Sequence, residues 1–199
     1  MENMFHLKSK ANQLRKAERF NDALTIYKTL WEKTKDSFDG TGYLSCLRKL
    51  HRFEQALPLA DELFTLFPEF PWLRNEIIWT KIQGQLNKLP EDSSLNTIIN
   101  HANSIMKLNP DTFAKKSIVF KVLKSAKKKN NWDCIEEWLD KLDPKHLSDK
   151  PIKIGETQNG WSDQEIWYNY KINLLLERND SQKALELCSS LEGKYPKNR

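Results

Sequence analysis

The sequence predicts an all-α protein made of about five stacked, antiparallel helix pairs. Four similar phrases recur along the chain, each with a polar break, usually an aromatic residue, two polar residues and then a small or apolar residue that begins a helical stripe. Recurrence at this scale is typical of stacked helix pairs. Only six glycines among 199 residues argue against an all-β fold with many tight turns. The four phrases occupy residues 18–24, 51–57, 130–135 and 179–185.

The first two repeats are the most regular, and we place them at about residues 4–37 and 38–69. In each, apolar residues at helical spacing lead to the polar break, and a second apolar stripe follows it. The second stripes begin at Ala23 and Ala56, which lie 33 residues apart, and the stripe from Ala56 ends before Pro68. Each repeat is therefore predicted to contain two helices joined by a short turn.

Repeats three to five are less regular. A linker at 88–94 lengthens the third repeat, the fourth stops about one turn early at Pro144, and an insertion at 145–160 precedes the fifth. The insertion contains one proline and two glycines, which predicts a loop. We place these three repeats at residues 70–110, 111–144 and 161–196.

This pattern resembles the tetratricopeptide repeat family over nearly the whole chain. The matching positions are the second-helix alanine at Ala23, Ala56 and Ala184, the turn aromatic at Phe20, Phe53 and Trp132, the closing proline at Pro68, Pro110 and Pro196, and the early tryptophan at Trp72. The resemblance implies a right-handed α-solenoid, with the first helix of each pair lining a concave groove. Ile98 and Ile135 replace the second-helix alanine, so repeats three and four are expected to be irregular.

We expect a single domain spanning residues 1–199. Solenoids usually end in a capping helix that covers the last apolar face, and the sequence ends soon after Pro196 without one. This pattern indicates the N-terminal part of a longer protein, with the continuation of the chain or another subunit packing on the last repeat.

The charge of the first helices indicates what kind of partner the groove binds. Seven lysines and no acid lie between Asp111 and Asp133, and Glu177 is the main acid expected on the groove. Such a groove is predicted to attract an acidic peptide or protein segment. The predicted groove residues are Lys8, Asn12, Arg15, Lys16, Arg48, Lys49, Lys81, Phe120, Lys124, Lys127, Lys128, Asn169 and Asn173.

Two alternatives use the same surface. Nucleic acid is a possible partner because basic side chains accompany seven tryptophans, of which Trp161 and Trp167 near the insertion are the best candidates for base stacking. A carboxylate clamp like that of chaperone-binding members of the family is only half present. Lys8 and Asn12 match it, whereas Gly42 stands where an asparagine is needed.

Composition and motifs favour a non-catalytic protein. The four histidines are scattered, no phosphate-binding glycine motif is present, and no metal or cofactor site is expected. The segment 40–42 is interpreted as an inter-helix turn, and Asp36 and Asp39 as loop residues. Three widely spaced cysteines in helical patterns predict buried free thiols and a cytoplasmic location. No apolar run approaches the roughly 18 residues that a membrane span requires.

Overall fold

The computed structural model describes residues 3–154, 158–192 and 194, and these form helices throughout except for one short β-ribbon. The ribbon pairs β1 (Lys153–Ile154) with β2 (Gln158–Asn159) in antiparallel fashion. The helices are α1 (Met4–Lys16), α2 (Phe20–Thr34), α3 (Ser37–Lys49), α4 (Phe53–Leu66), α5 (Pro71–Lys81), α6 (Leu95–Met106), α7 (Thr112–Lys128), α8 (Trp132–Leu139), α9 (Asp163–Glu177) and α10 (Ser181–Leu191).

The chain divides into two compact bodies, and the division passes through α6. The N-terminal body comprises Met1–Asp92 and Asn103–Pro110. The C-terminal body comprises Ser93–Ala102 and Asp111–Arg199. Each body is described separately below.

In the N-terminal body, successive helix pairs stack on one another. Helix α2 packs against both α1 and α3, and α4 packs against both α3 and α5. Ala23 in α2 and Ala56 in α4 are fully buried, as are Ala11 and Ala60. Small side chains at these positions let neighbouring helices approach closely, which agrees with the role that the family resemblance assigns to the second-helix alanine.

In the C-terminal body, α7 packs on α8, α8 on α9, and α9 on α10. One face of α7, with Val119 and Val122, is fully buried, and so is Trp138 in α8. Ala184 in α10 is buried, as expected for the second-helix alanine of the fifth repeat. Here too the helix pairs follow one another in chain order.

The third and fourth repeats are irregular, as the sequence predicts. Helix α5 continues into a π-helical turn, Ile82–Leu86, in which a Cβ on Gly84 would lie 2.7 Å from Cδ1 of Phe53. Helix α8 has only eight residues and ends at Leu139. Glycine at position 84 therefore lets the π-helical turn pass close to the Phe53 ring.

The recurring polar break is a helix-terminating turn with the same geometry in all four phrases. Its first residue has a left-handed backbone in each case, with φ values of 58° at Glu18, 56° at His51, 51° at Asn130 and 58° at Asn179. The next residue donates its N–H to a carbonyl five residues back, as Arg19 does to Leu14 at 2.9 Å. These bonds form the Schellman motif, which satisfies carbonyls at the helix end and reverses the chain.

Replacing Glu18 with glycine is expected to stabilise the protein by about 0.5 to 1 kcal/mol. A side chain in the left-handed region is strained, and glycine removes that strain at a position that is exposed. Chemical denaturation should show the gain. The matched control is Gln13→Gly, an exposed site in the body of α1, where glycine should cost about 1 kcal/mol. Equal destabilisation by both variants would contradict the assigned turn.

The interpretation of residues 40–42 as an inter-helix turn is wrong, because Gly40 and Gly42 both lie inside α3. Asp36 is the N-cap of that helix, and its carboxylate accepts hydrogen bonds from the N–H groups of Phe38 and Asp39. Asp39 is therefore a first-turn helical residue rather than a loop residue. The glycines serve packing, since a Cβ on Gly40 would lie 2.5 Å from Cδ2 of Leu63.

The predicted insertion at 145–160 has local structure of its own. A 3-10 turn, Pro144–His146, leads into the segment that carries the ribbon. Gln164 at the start of α9 holds this segment, since its side-chain Nε2 donates to the Leu147 carbonyl at 3.0 Å and its backbone N–H donates to the Ser148 carbonyl at 3.1 Å. Gly155 in the insertion and the predicted closing proline Pro196 lie outside the described residues.

Candidate binding surfaces

The N-terminal body carries an open groove of about 580 Å³ between the first helices of its repeats. Helices α1, α3 and the start of α5 form its walls, and Tyr27 of α2 reaches it from behind. Three of the predicted groove residues are among those that line it. The lining residues are Lys8, Asn12, Arg15, Tyr27, Phe38, Asp39, Thr41, Gly42, Ser45, Phe70, Trp72, Asn75 and Glu76.

Lys8 does not present an unpaired charge to this groove. Its Nζ lies 2.8 Å from Oδ2 of Asp39 and 3.7 Å from Oδ1 of Asp36. The same Asp39 oxygen accepts a 2.8 Å hydrogen bond from the Thr34 hydroxyl, and Asp39 is only 2% exposed. The hydrogen bond to Asp39 raises the pKa of Lys8 despite its partial burial. Lys8 is therefore held as part of a fixed ion pair.

Arg48 and Lys81 are also paired with acids. The Arg48 guanidinium forms a half-buried ion pair with Glu76 and also contacts Gln83 at 3.4 Å. Lys81 Nζ lies 2.6 Å from a carboxylate oxygen of Asp61. Asp39 and Glu76 line the groove, so the expectation that Glu177 is its main acid is wrong. The sequence pattern missed these acids because each meets its cation from another helix.

Arg15, Asn12 and Tyr27 form a polar group at the inner wall. Arg15 Nη2 donates to Oδ1 of Asn12 at 3.0 Å. Burial raises the pKa of the Tyr27 phenol, and a hydrogen bond with Arg15 partly opposes that rise. Arg15 Nε is buried and has no acceptor among the described residues. These contacts restrict both predicted residues to one side-chain arrangement.

Aromatic side chains dominate the outer edge of the groove. Phe38 and Phe70 meet edge to face, with their ring centroids 4.9 Å apart. Phe38 is 65% exposed and Trp72 is 76% exposed, although both are large apolar residues. Sequence reasoning did not place this aromatic edge, which consists of Phe38, Phe70 and Trp72, on the binding surface. The signal was present, because Phe38 and Phe70 occupy similar positions in successive repeats, 32 residues apart.

A second surface lies on α7 of the C-terminal body. Lys124, Lys127 and Lys128 are exposed on the side of the helix opposite its buried apolar face. Lys127 Nζ lies 5.6 Å from the ring centroid of Tyr170 in α9. Lys116, by contrast, is taken up by Asp163, whose carboxylate lies 2.7 Å from its Nζ. The exposed basic part of α7 is thus its C-terminal half.

The other predicted residues occupy different positions. Phe120 in α7 is half-buried. Asn173 in α9 donates its Nδ2 to the backbone carbonyl of Asn169 at 2.6 Å and to the side-chain oxygen at 3.2 Å, and both asparagines are half-buried. Lys16 and Lys49 are exposed in the last turns of α1 and α3. The structure therefore distributes the predicted residues over several surfaces.

The tryptophans singled out for base stacking differ in exposure. Trp161 is among the exposed large apolar residues. Trp167 is half-buried, and its indole N–H donates to the Leu139 carbonyl at 3.3 Å. Trp31 and Trp138 are core residues, as their places on apolar stripes predict.

Reactive groups have little prominence in the described part of the chain. No group of three or more histidine, cysteine, aspartate or glutamate side chains there is placed to hold a metal ion. Cys46 and Cys134 are buried free thiols, and burial raises the pKa of Cys46 to about 11. Cys188 is exposed, which contradicts its predicted burial. Of the helices described, none is long and apolar enough to cross a membrane.

No protein-family model matches this sequence, and no curated protein matches it. Two solved structures of MamA have a similar fold. The RS-1 ArsTM double mutant has a TM-score of 0.53 and 11% identity, over 98% of this chain and 95% of its own. MamA 41-end from Desulfovibrio magneticus RS-1 has the same TM-score and identity, over 100% and 98%. TTC0263, a thermophilic TPR protein of Thermus thermophilus, aligns at a TM-score of 0.45 with 13% identity, over 98% and 93%.

At these identities the likeness concerns the fold. Helix pairs stack in chain order in both bodies, and the second-helix alanines are buried where neighbouring helices meet. Together with the MamA likeness, these features confirm the tetratricopeptide-like, α-solenoid fold that the sequence predicts.

Proposed function

We propose that this protein is a non-catalytic protein–protein interaction module that binds an acidic peptide or protein segment. The basic face of α7, defined by Lys124, Lys127 and Lys128, is its principal contact surface. The observation that carries the proposal is that all three lysines are exposed on a helix without a single acidic residue. We further propose a cytoplasmic location, because the buried free thiols suit a reducing compartment.

The geometry of α7 supports this assignment. Val122 and Ala126 anchor the helix through its buried face, so the lysines are carried on a rigid element. Closely spaced charges of one sign raise the local concentration of an oppositely charged segment and speed its encounter. Half-buried Phe120 adds apolar contact on the same helix. Lys8, Arg48 and Lys81 contribute less, because acids of the same chain already neutralise them.

The proposal is tested by reversing the three charges. The variant Lys124→Glu, Lys127→Glu, Lys128→Glu should bind an acetylated, amidated ten-residue oligoglutamate roughly a hundredfold more weakly in about 50 mM salt, measured by calorimetry. A matched control reverses exposed Lys10, Lys33 and Lys107 and causes the same change in net charge.

The control separates a local effect from a general one. Because both triple variants remove three positive charges and add three negative ones, a simple net-charge effect would weaken binding equally in both. Loss by the α7 variant alone supports the proposed surface. Equal losses, or unchanged binding in the α7 variant, would show that α7 is not where the acidic segment binds.

Nucleic acid is a second candidate partner, because Lys127 lies over the Tyr170 ring and both groups suit a single strand. Lysine–phosphate contacts release counterions, so the logarithm of the affinity should fall linearly with the logarithm of salt concentration. Titration with single-stranded DNA and RNA of about 15 nucleotides distinguishes the two functions. No binding at about 50 mM salt removes this candidate, and binding stronger than that of oligoglutamate would favour it.

A further inference from the structure

We propose that the groove of the N-terminal body binds an uncharged peptide segment by seating a large apolar side chain on Phe38, Phe70 and Trp72, and that Asp39 excludes carboxylate ligands from it. This groove and the basic face of α7 belong to different bodies. The inference therefore does not depend on the function proposed for α7, and each has its own probe.

The aromatic edge supplies the apolar contact. Phe38 and Trp72 expose most of their surface, and Phe70 braces Phe38 through the edge-to-face contact. Covering such rings with an apolar side chain removes surface from water on both partners. Exposed aromatic side chains beside a cavity are also the residue type that most often dominates binding energy at interfaces. The groove is of ordinary size for a ligand site.

The charges that line the groove balance. Lys8 and Arg15 contribute two positive charges, and Asp39 and Glu76 contribute two negative ones. Glu76 is paired with Arg48 at the adjoining edge. A cavity without a net charge offers no electrostatic advantage to an acidic or a basic segment, so an uncharged segment fits it best.

Asp39 already occupies the position from which a ligand carboxylate would contact Lys8. It is almost completely buried, and it is held by both the Lys8 ammonium and the Thr34 hydroxyl. A ligand carboxylate would approach Lys8 beside this buried negative charge and would be repelled by it. The Lys8–Asn12 pair therefore resembles half of a carboxylate clamp in sequence, while Asp39 prevents it from acting as one.

Four acetylated, amidated pentapeptides that differ only at the central residue test the inference without any mutation. Those with phenylalanine or leucine should bind about ten to a hundredfold more tightly than the one with alanine, as expected for burial of one large apolar side chain. The glutamate peptide should bind no better than the alanine peptide. Calorimetry gives the affinities, and the Trp72 indole N–H resonance reports the place of binding.

Variants locate the contact. Trp72→Ala and Phe38→Ala should each weaken binding of the phenylalanine peptide by about tenfold. Phe5→Ala is the control, because Phe5 is an equally exposed aromatic residue of α1 outside the groove lining. Raising the salt from about 50 to 500 mM should change the affinity less than about twofold. The triple α7 variant should leave this binding unchanged.

Asp39→Asn tests the exclusion of carboxylates. The near-isosteric amide removes the negative charge beside Lys8, so a peptide with a free C-terminal carboxylate should gain about tenfold in affinity over the wild-type protein. If this variant unfolds, the wild-type comparison of glutamate with phenylalanine peptides still decides the matter. A wild-type preference for the glutamate peptide, or equal binding of the phenylalanine and alanine peptides, would overturn the inference.

Discussion

Replacing Gly42 with alanine is expected to destabilise the protein by about 2 kcal/mol, although alanine is the better helix former. A Cβ at position 42 would lie within 2.6 Å of three carbons of the Tyr27 ring. Tyr27 is buried and 6% exposed, so the ring has little room to move. Overpacking of this kind costs about 1 to 3 kcal/mol and outweighs the gain of about 1 kcal/mol from helix propensity.

A double-mutant cycle with Tyr27→Ala identifies the cause. Without the ring, Gly42→Ala should become stabilising by about 1 kcal/mol, because only the propensity term remains. Urea denaturation of the wild type, both single variants and the double variant gives the four values required. The same sign for Gly42→Ala in both backgrounds would show that the Tyr27 ring is not what requires glycine here.

Replacing Trp138 with alanine is expected to cost about 3 to 5 kcal/mol of unfolding free energy. Trp138 is 0% exposed and lies in the short helix α8, between Ile135 and Leu142 in the line of buried residues. Removal of its indole leaves a large cavity, and eight residues of helix give few other contacts to compensate. Thermal and chemical denaturation measure the loss.

A second substitution at this position separates volume from hydrogen bonding. The indole Nε1 is buried without an acceptor among the described residues, so Trp138→Phe removes an unsatisfied donor while keeping most of the ring volume. It should cost about 2 kcal/mol less than Trp138→Ala. Trp161→Ala, at an exposed tryptophan, should change stability by less than about 1 kcal/mol. Similar losses for all three variants would contradict the assigned core position.

The helices could be predicted because their signals are local. Residues near Glu18, His51, Asn130 and Asn179 form the same terminating turn, and that turn is made by hydrogen bonds spanning at most five residues. The misreading of residues 40–42 had a different cause. Glycine usually indicates a turn, but here the ring of Tyr27 from another helix requires its small size.

The candidate sites could be predicted only in part. Lys8, Asn12 and Arg15 were assigned to the groove from their register on the first helix, and all three line it. The acids that neutralise two of the predicted cations were not assigned, because Lys8 meets Asp39 and Arg48 meets Glu76 about one repeat further along the chain. The aromatic edge was missed because its exposure depends on how α3 and α5 pack.

The sequence by itself therefore determined the all-α class, the turns and the buried stripes, since each follows from spacing within one or two helical turns. It also placed the lysines of α7 on the exposed side of their helix, because the apolar residues there define the buried one. Only the tertiary structure decided which charges are neutralised and which aromatic rings stay open to solvent. Ion pairs and exposure depend on side chains brought together from different helices, and no local pattern specifies those contacts.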